Sequence, residues 1–116
     1  MPPKQVFAVH IKKMRYNKLV RDKIPDIIRG KGETPVTRIA SDEEYSEKLK
    51  EKLVEEVKEY SENPSKEELA DILEVIKAIQ EHENISHQEI ERIRKKKALE
   101  RGGFKKRLIL EETKKE

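Results

Sequence analysis

From position 41 onward the apolar residues fall into stripes. Tyr45, Leu49, Leu53, Val57 and Tyr60 recur at steps of four, four, four and three, one face of an amphipathic helix. Leu69, Ile72, Leu73, Ile76 and Ile79 form a second stripe of the same kind. Each helix is expected to bury its stripe. A third helical stretch, from about residue 86 to residue 100, has only Ile90, Ile93, Ala98 and Leu99 as apolar residues, so it packs more weakly, and Gly102 is placed to end it. All three open on Ser-x-x-Glu, at Ser41/Glu44, Ser65/Glu68 and Ser86/Glu89, the pattern of a capping box.

Upstream the pattern is broken. Residues 16–29 read Tyr-Asn-Lys-Leu-Val-Arg-Asp-Lys-Ile-Pro-Asp-Ile-Ile-Arg, and Pro25 can begin a helical turn but not sit inside one. A short helix closed by Gly30 and Gly32 is expected, followed by a connector over residues 34–40. Residues 1–13, with Pro2-Pro3 and Val6-Phe7-Ala8-Val9, share none of the helical patterning and are read as an extension, either a short strand or disordered. Met14 is then an alternative start, and residues 14–116 are the domain. The tail ends its apolar content in Leu108-Ile109-Leu110, as a strand or a segment draped over the helices. The expected fold is all-α, an antiparallel helical bundle with a short terminal strand or extended tail.

Composition adds an expectation about assembly. Of 116 residues, 34% are apolar and 44% charged, and three Tyr and two Phe are the only aromatics, so one chain has little core to bury. A homodimer that shares apolar faces is expected. Without cysteine there is neither a disulfide framework nor a Cys-ligated metal site. No apolar run approaches the roughly 18 residues of a membrane span, and nothing near the N-terminus reads as a signal peptide. A cytoplasmic protein with no membrane partner is the expectation.

Charge is segregated along the chain. Residues 1–40 carry a net +7, residues 41–90 a net −10 and residues 91–116 a net +6. Basic ends fit a nucleic-acid binder, but the dense acidic centre repels phosphate. Acidic centre and basic flanks together suit a metal–phosphate ligand; solvated Lys/Glu-rich helix faces are the alternative.

Within the acidic centre, Glu56/Glu59 and Glu68/Asp71 each place two carboxylates three residues apart on one side of a helix. The short link through Glu62-Asn63-Pro64 forces an antiparallel hairpin. Counting outward from it at about 1.5 Å per residue puts Glu59 level with Glu68, and Glu56 level with Asp71. The four carboxylates meet beside the apolar stripes, where they repel one another unless a cation neutralises them. Hard oxygen ligands suit Mg²⁺ or Mn²⁺. Glu-rich helices also produce such pairs by chance; the level matching, and the lack of Lys or Arg at these positions as partners, favour the metal.

The run Glu55-Glu56-x-x-Glu59, a short spacer, and Glu68-x-x-Asp71 resembles the metal-binding signature of the all-α nucleoside triphosphate pyrophosphohydrolase superfamily. Tyr-Asn-Lys-Leu-Val-Arg-Asp-Lys-Ile-Pro at residues 16–25 and Lys97-x-x-x-Arg101-Gly102-Gly103-Phe104 further resemble a small MazG-like subgroup described as phosphoribosyl-ATP pyrophosphohydrolase-like. The resemblance spans roughly residues 14–110. It implies an enzyme that hydrolyses the α–β phosphoanhydride of a nucleoside triphosphate to a nucleoside monophosphate and pyrophosphate. By motif, the metal ligands are Glu56, Glu59, Glu68 and Asp71, and Glu55 joins Glu56 as a catalytic residue by orienting a ligand or the attacking water. The eight residues between Glu59 and Glu68 are fewer than in many relatives, which bears on the size of the substrate pocket.

Substrate-binding candidates lie on both flanks. Lys18, Arg21 and Lys23 are placed to hold phosphates, and Asn17 or Asp22 to read base or ribose; fixing the N-terminal segment through ion pairs is the competing role. Lys97, Arg101 and Gly103 belong to a flap that lets backbone and Arg approach the triphosphate, or Gly102-Gly103 is an ordinary helix stop. The rival functions are phosphoribosyl-ATP pyrophosphohydrolase of histidine biosynthesis and a non-catalytic helical module that binds nucleotide or nucleic acid.

Overall fold

Ser41 and Ser86 both sit in extended backbone and accept a hydrogen bond from the amide three residues on, which is why helices begin where the sequence pattern places them. In the computed structural model, which describes residues 15–115, four helices and no strand are formed among the described residues. They are α1 (Ile24–Gly30), α2 (Asp42–Glu62), α3 (Lys66–His82) and α4 (His87–Arg101). The protein is all-α, as its periodicity requires. Residues 104–110 form no strand; a turn closes from the Arg107 amide to the Phe104 carbonyl, and Leu108, Ile109 and Leu110 beyond it stay exposed. The extension over residues 1–13 and its Val6–Val9 strand lie outside the described residues.

Each boundary has a local cause. Pro25 occupies the first turn of α1, where its missing amide leaves no bond unmade. Gly32, at φ +84°, ends α1, and its amide donates to the Arg29 carbonyl. Asn84, at φ 57°, closes α3, with the Ile85 amide reaching back to the Gln80 carbonyl. At the end of α4, Gly102 adopts φ +84° and donates to the Ala98 carbonyl. No helix among the described residues is long and apolar enough to cross a membrane.

The chain divides into two compact units, Met1–Val75 and Ile76–Glu116. The first holds α1, α2 and most of α3, with α2 and α3 joined by a turn of three residues. Its core is thin. Leu49 of α2 and Val75 of α3 are the buried apolar side chains among the described residues, and Glu56 of α2 is buried beside them in the fold. The expected stripes are therefore only partly covered. Tyr45, Leu53, Tyr60, Ile72 and Ile79 are half-buried, but Val57, Leu69, Leu73 and Ile76 remain exposed. In the second unit the four apolar residues of α4 leave none of its side chains buried.

Because so few apolar groups carry this unit, truncating one of them is a severe test. Leu49→Ala is expected to lower stability by about 2–3 kcal/mol, the transfer and cavity loss of a buried leucine. Urea unfolding followed by helical circular dichroism measures it; a loss below ~0.5 kcal/mol would show that Leu49 does not anchor the fold.

Candidate metal centre

The three-residue turn between α2 and α3 sets carboxylates from the two helices at matching heights. Glu56, Glu68 and Asp71 each bring an oxygen within 4.8 Å of the others, so this group spans the hairpin. Glu56 is 7% exposed, and Glu68 and Asp71 are half-buried. Glu59, expected as the fourth ligand, is exposed and lies outside the group, yet its charge still acts on Glu56. Near their ends the helices therefore bring three of the four expected carboxylates together.

Two of these oxygens are orphaned. Glu56 Oε2 and Glu68 Oε2 are buried from solvent without a hydrogen-bond partner. An ionised oxygen so placed is among the most costly groups a protein contains, and it is stable only protonated or next to a cation. Burial holds the Glu56 carboxyl above the ordinary carboxylate range, the Glu59 and Asp71 charges push the same way, and the nearby Lys52 ammonium opposes them. Hard anionic oxygens converging from two helices, two of them buried and unpartnered, fit Mg²⁺ or Mn²⁺.

Sequence reasoning missed the cations around this group. The basic partners judged missing from the acidic positions come from elsewhere: Arg21 Nη2 donates to Asp71 Oδ1 at 2.7 Å, and Lys52 Nζ lies 3.4 Å from Glu56 Oε1. Lys52 was legible as an i,i+4 neighbour of Glu56 on one helix. Arg21 was not, because fifty positions separate it from Asp71 and only the fold joins them.

Residues 17–21 lie along the hairpin as a strap. Lys48 Nζ donates to the Asn17 carbonyl at 2.7 Å, where Asn17 adopts φ 46°, and Lys18 Nζ donates to Glu55 Oε1 at 2.8 Å. The Lys18 bond, with Lys52 behind it, holds the Glu55 carboxyl below its usual range, and Glu55 in turn raises Lys18. Of the five candidates in this segment, Lys18 and Arg21 touch the acidic residues through their side chains, while Asn17 is held through its backbone. Asp22 and Lys23 are exposed in the turn before α1, with no side-chain bond to the carboxylates among the described residues. Lys97 and Arg101 are exposed on α4, and Gly103 is exposed just after it, all in the second unit.

No protein-family model matches the chain, and no solved structure matches it. A relative described as an uncharacterized protein, from Mycolicibacterium smegmatis, is 58% identical over 41 residues. That match covers 35% of this chain and 42% of the relative, so the chain spans under half of the relative's length.

Glu56 carries a pH signature. Its folded pKa lies above the ordinary value of 4.5, so the native state holds this proton more tightly than the unfolded chain does. The associated stability is present below pH about 4.5 and is lost as pH rises through the folded pKa. Glu56→Gln, which cannot ionise, is therefore expected to melt at a higher temperature than the parent near pH ~7.5, with the gap closing near pH ~4. Thermal unfolding in chelator at both pH values measures it; an equal gap at both would show that ionisation of Glu56 is not the cause.

Proposed function

We propose that the chain is a nucleotide pyrophosphohydrolase that cleaves the α–β phosphoanhydride of a nucleoside triphosphate with water, releasing a nucleoside monophosphate and pyrophosphate. The orphaned oxygens of Glu56 and Glu68, two of the three carboxylates gathered across the hairpin, carry this reading, because neither has a hydrogen-bond partner among the described residues. Glu56, Glu68 and Asp71 would hold Mg²⁺ or Mn²⁺, with Glu59 one turn along α2 as a further ligand. Bound there, the metal supplies Lewis acidity and charge neutralisation at the phosphates. The sequence resemblance to MazG-like proteins supplies the reaction class, and the gathering of three of the four carboxylates named by that resemblance supports it.

The chain's own residues divide the remaining work. Glu55, tied to Lys18 and Lys52 and held below the ordinary carboxylate range, is the poorer proton acceptor of the adjacent pair and acts by orienting water or a ligand. Glu56, raised in pKa, is the more basic of the adjacent pair. Lys18 and Arg21, on the strap, present positive charge beside the cluster for the phosphate chain.

A screen of nucleoside triphosphates with Mg²⁺, scoring pyrophosphate against orthophosphate, tests the proposal. Pyrophosphate release is expected, and Glu68→Gln should reduce it by at least about a hundredfold, more than loss of an outer-shell partner. Turnover confined to phosphoribosyl-ATP would assign the histidine-pathway reaction instead, and binding without turnover would make the chain a non-catalytic module.

The same hairpin supports a homodimer. Val54 and Leu73 are 69% and 65% exposed, with Val57 and Leu69 nearly half exposed beside them. Successive residues turn about 100° around a helix, so these four fall on one flank of α2–α3, opposite the flank of Glu55 and Asp71. A second copy related by a two-fold axis matches such a face with itself. Light scattering is expected to give the mass of two chains for the parent and of one for Leu73→Lys; an unaltered dimer in the variant would move the interface elsewhere.

A further inference from the structure

We infer that Arg21 is an exchangeable counter-ion: it and a divalent cation compete for Asp71, and the cation's arrival passes the guanidinium to the phosphate chain of the substrate. This rests on the metal reading proposed above and adds a role for a residue outside the acidic motif.

The arrangement of the strap argues for exchange rather than permanent pairing. Arg21 meets Asp71 through a single nitrogen and a single oxygen, so most of its five-donor fork is left for another acceptor. Arg21 is 57% exposed and half-buried Asp71 still exposes 37% of its side chain, so water reaches the pair and screens it until it contributes little. The strap does not depend on this bond, because Asn17 is held by Lys48 and Lys18 by Glu55 on the α2 side. The backbone of Arg21 is fixed as well, its carbonyl accepting from the Ile24 amide at 3.0 Å, so exchange requires only its side chain to rotate. Asp71, in contrast, also has an oxygen within the three-carboxylate group. A doubly charged cation seated there attracts Asp71 more strongly than one guanidinium does, and it repels that guanidinium. Bidentate pairing with phosphate is the geometry for which the freed fork is suited.

Competition has a signature that a structural role does not share. Arg21→Gln should tighten Mn²⁺ binding to the nucleotide-free protein about twofold to fivefold, the range set by loss of a solvent-screened ion pair. The same variant should weaken binding of magnesium pyrophosphate roughly tenfold or more, through loss of a charge-assisted contact. The two affinities move in opposite directions. Arg21→Lys keeps the charge without the fork and should leave Mn²⁺ binding near the parent's while still weakening pyrophosphate. Lys31→Gln, the same charge change away from the cluster, should alter neither.

Titration calorimetry on the full chain reads both ligands, with thermal unfolding alongside. If Arg21→Gln lowers the melting temperature and leaves both affinities unchanged or weakens both, Arg21 is a structural pin and the inference is overturned. Should Arg21→Gln not fold, Arg21→Lys decides: pyrophosphate affinity equal to the parent's overturns it. A parent protein that binds no Mn²⁺ overturns the metal reading, and the exchange with it, in a titration that involves no variant. Failure of the site is thereby distinguished from failure of the exchange alone.

Discussion

A carboxylate on the interior face of a helix opposes folding unless its charge is neutralised, and Glu56 occupies such a place in a unit whose buried apolar residues are Leu49 and Val75. An apolar residue of similar volume there would serve stability better. Much of the surrounding polar structure is arranged around that charge. Lys52 approaches from the preceding turn of α2, Glu68 is drawn in from the start of α3, and Asp71 completes the group while carrying Arg21. Two more acids beside a buried one add repulsion that the proposed cation of higher charge would relieve. On the proposed function, stability and chemistry would pull against each other at Glu56, a pattern common where a site requires strain.

The three Ser-x-x-Glu starts show how that demand overrides local preference. At Ser86 the capping box is complete, with Glu89 returning to the Ser86 amide. At Ser41 the serine caps the helix, but the Glu44 carboxylate pairs with Arg38 of the connector. At Ser65 the serine again accepts from the Glu68 amide, while the Glu68 carboxylate contributes to the acidic group across the hairpin. One motif thus has three outcomes, separated by what each glutamate meets in three dimensions. Glu68 is the case in which a helix-start residue is also a site residue.

What the sequence made legible follows from the range of the interactions. Helix starts, glycine stops and the pairing of Glu56 with Asp71 depend on spacing within a turn or across three loop residues, and all can be counted along the chain. The shortfall of Glu59 was harder to foresee, because a residue one turn from Glu56 shares its side of the helix only to within tens of degrees. The Arg21–Asp71 and Lys18–Glu55 contacts were beyond counting, since they join positions 50 and 37 residues apart through a segment without regular structure. Burial was misjudged for a different reason. An apolar stripe predicts which face seeks cover, not that the same chain supplies it, so Leu69 and Leu73 fit the periodicity and remain exposed.

That leftover exposure and the acidic group are connected by helix geometry. Glu55 and Asp71 stand on one side of the plane of the α2–α3 hairpin, and Val57 and Leu69 on the other, each about a quarter turn from the residues that face the partner helix. The proposed dimer would cover the apolar side without approaching the strap or the carboxylates. It would still act on the site. Fixing the outer flanks of α2 and α3 limits how far the helices can part, and their separation sets the distance between Glu56 on one and Glu68 and Asp71 on the other. Repulsion among those acids would push the hairpin open, whereas a face shared with a second copy would hold it shut. On that proposal a thin core would suffice for a strained site, because the force that balances the carboxylates would be applied from the opposite face.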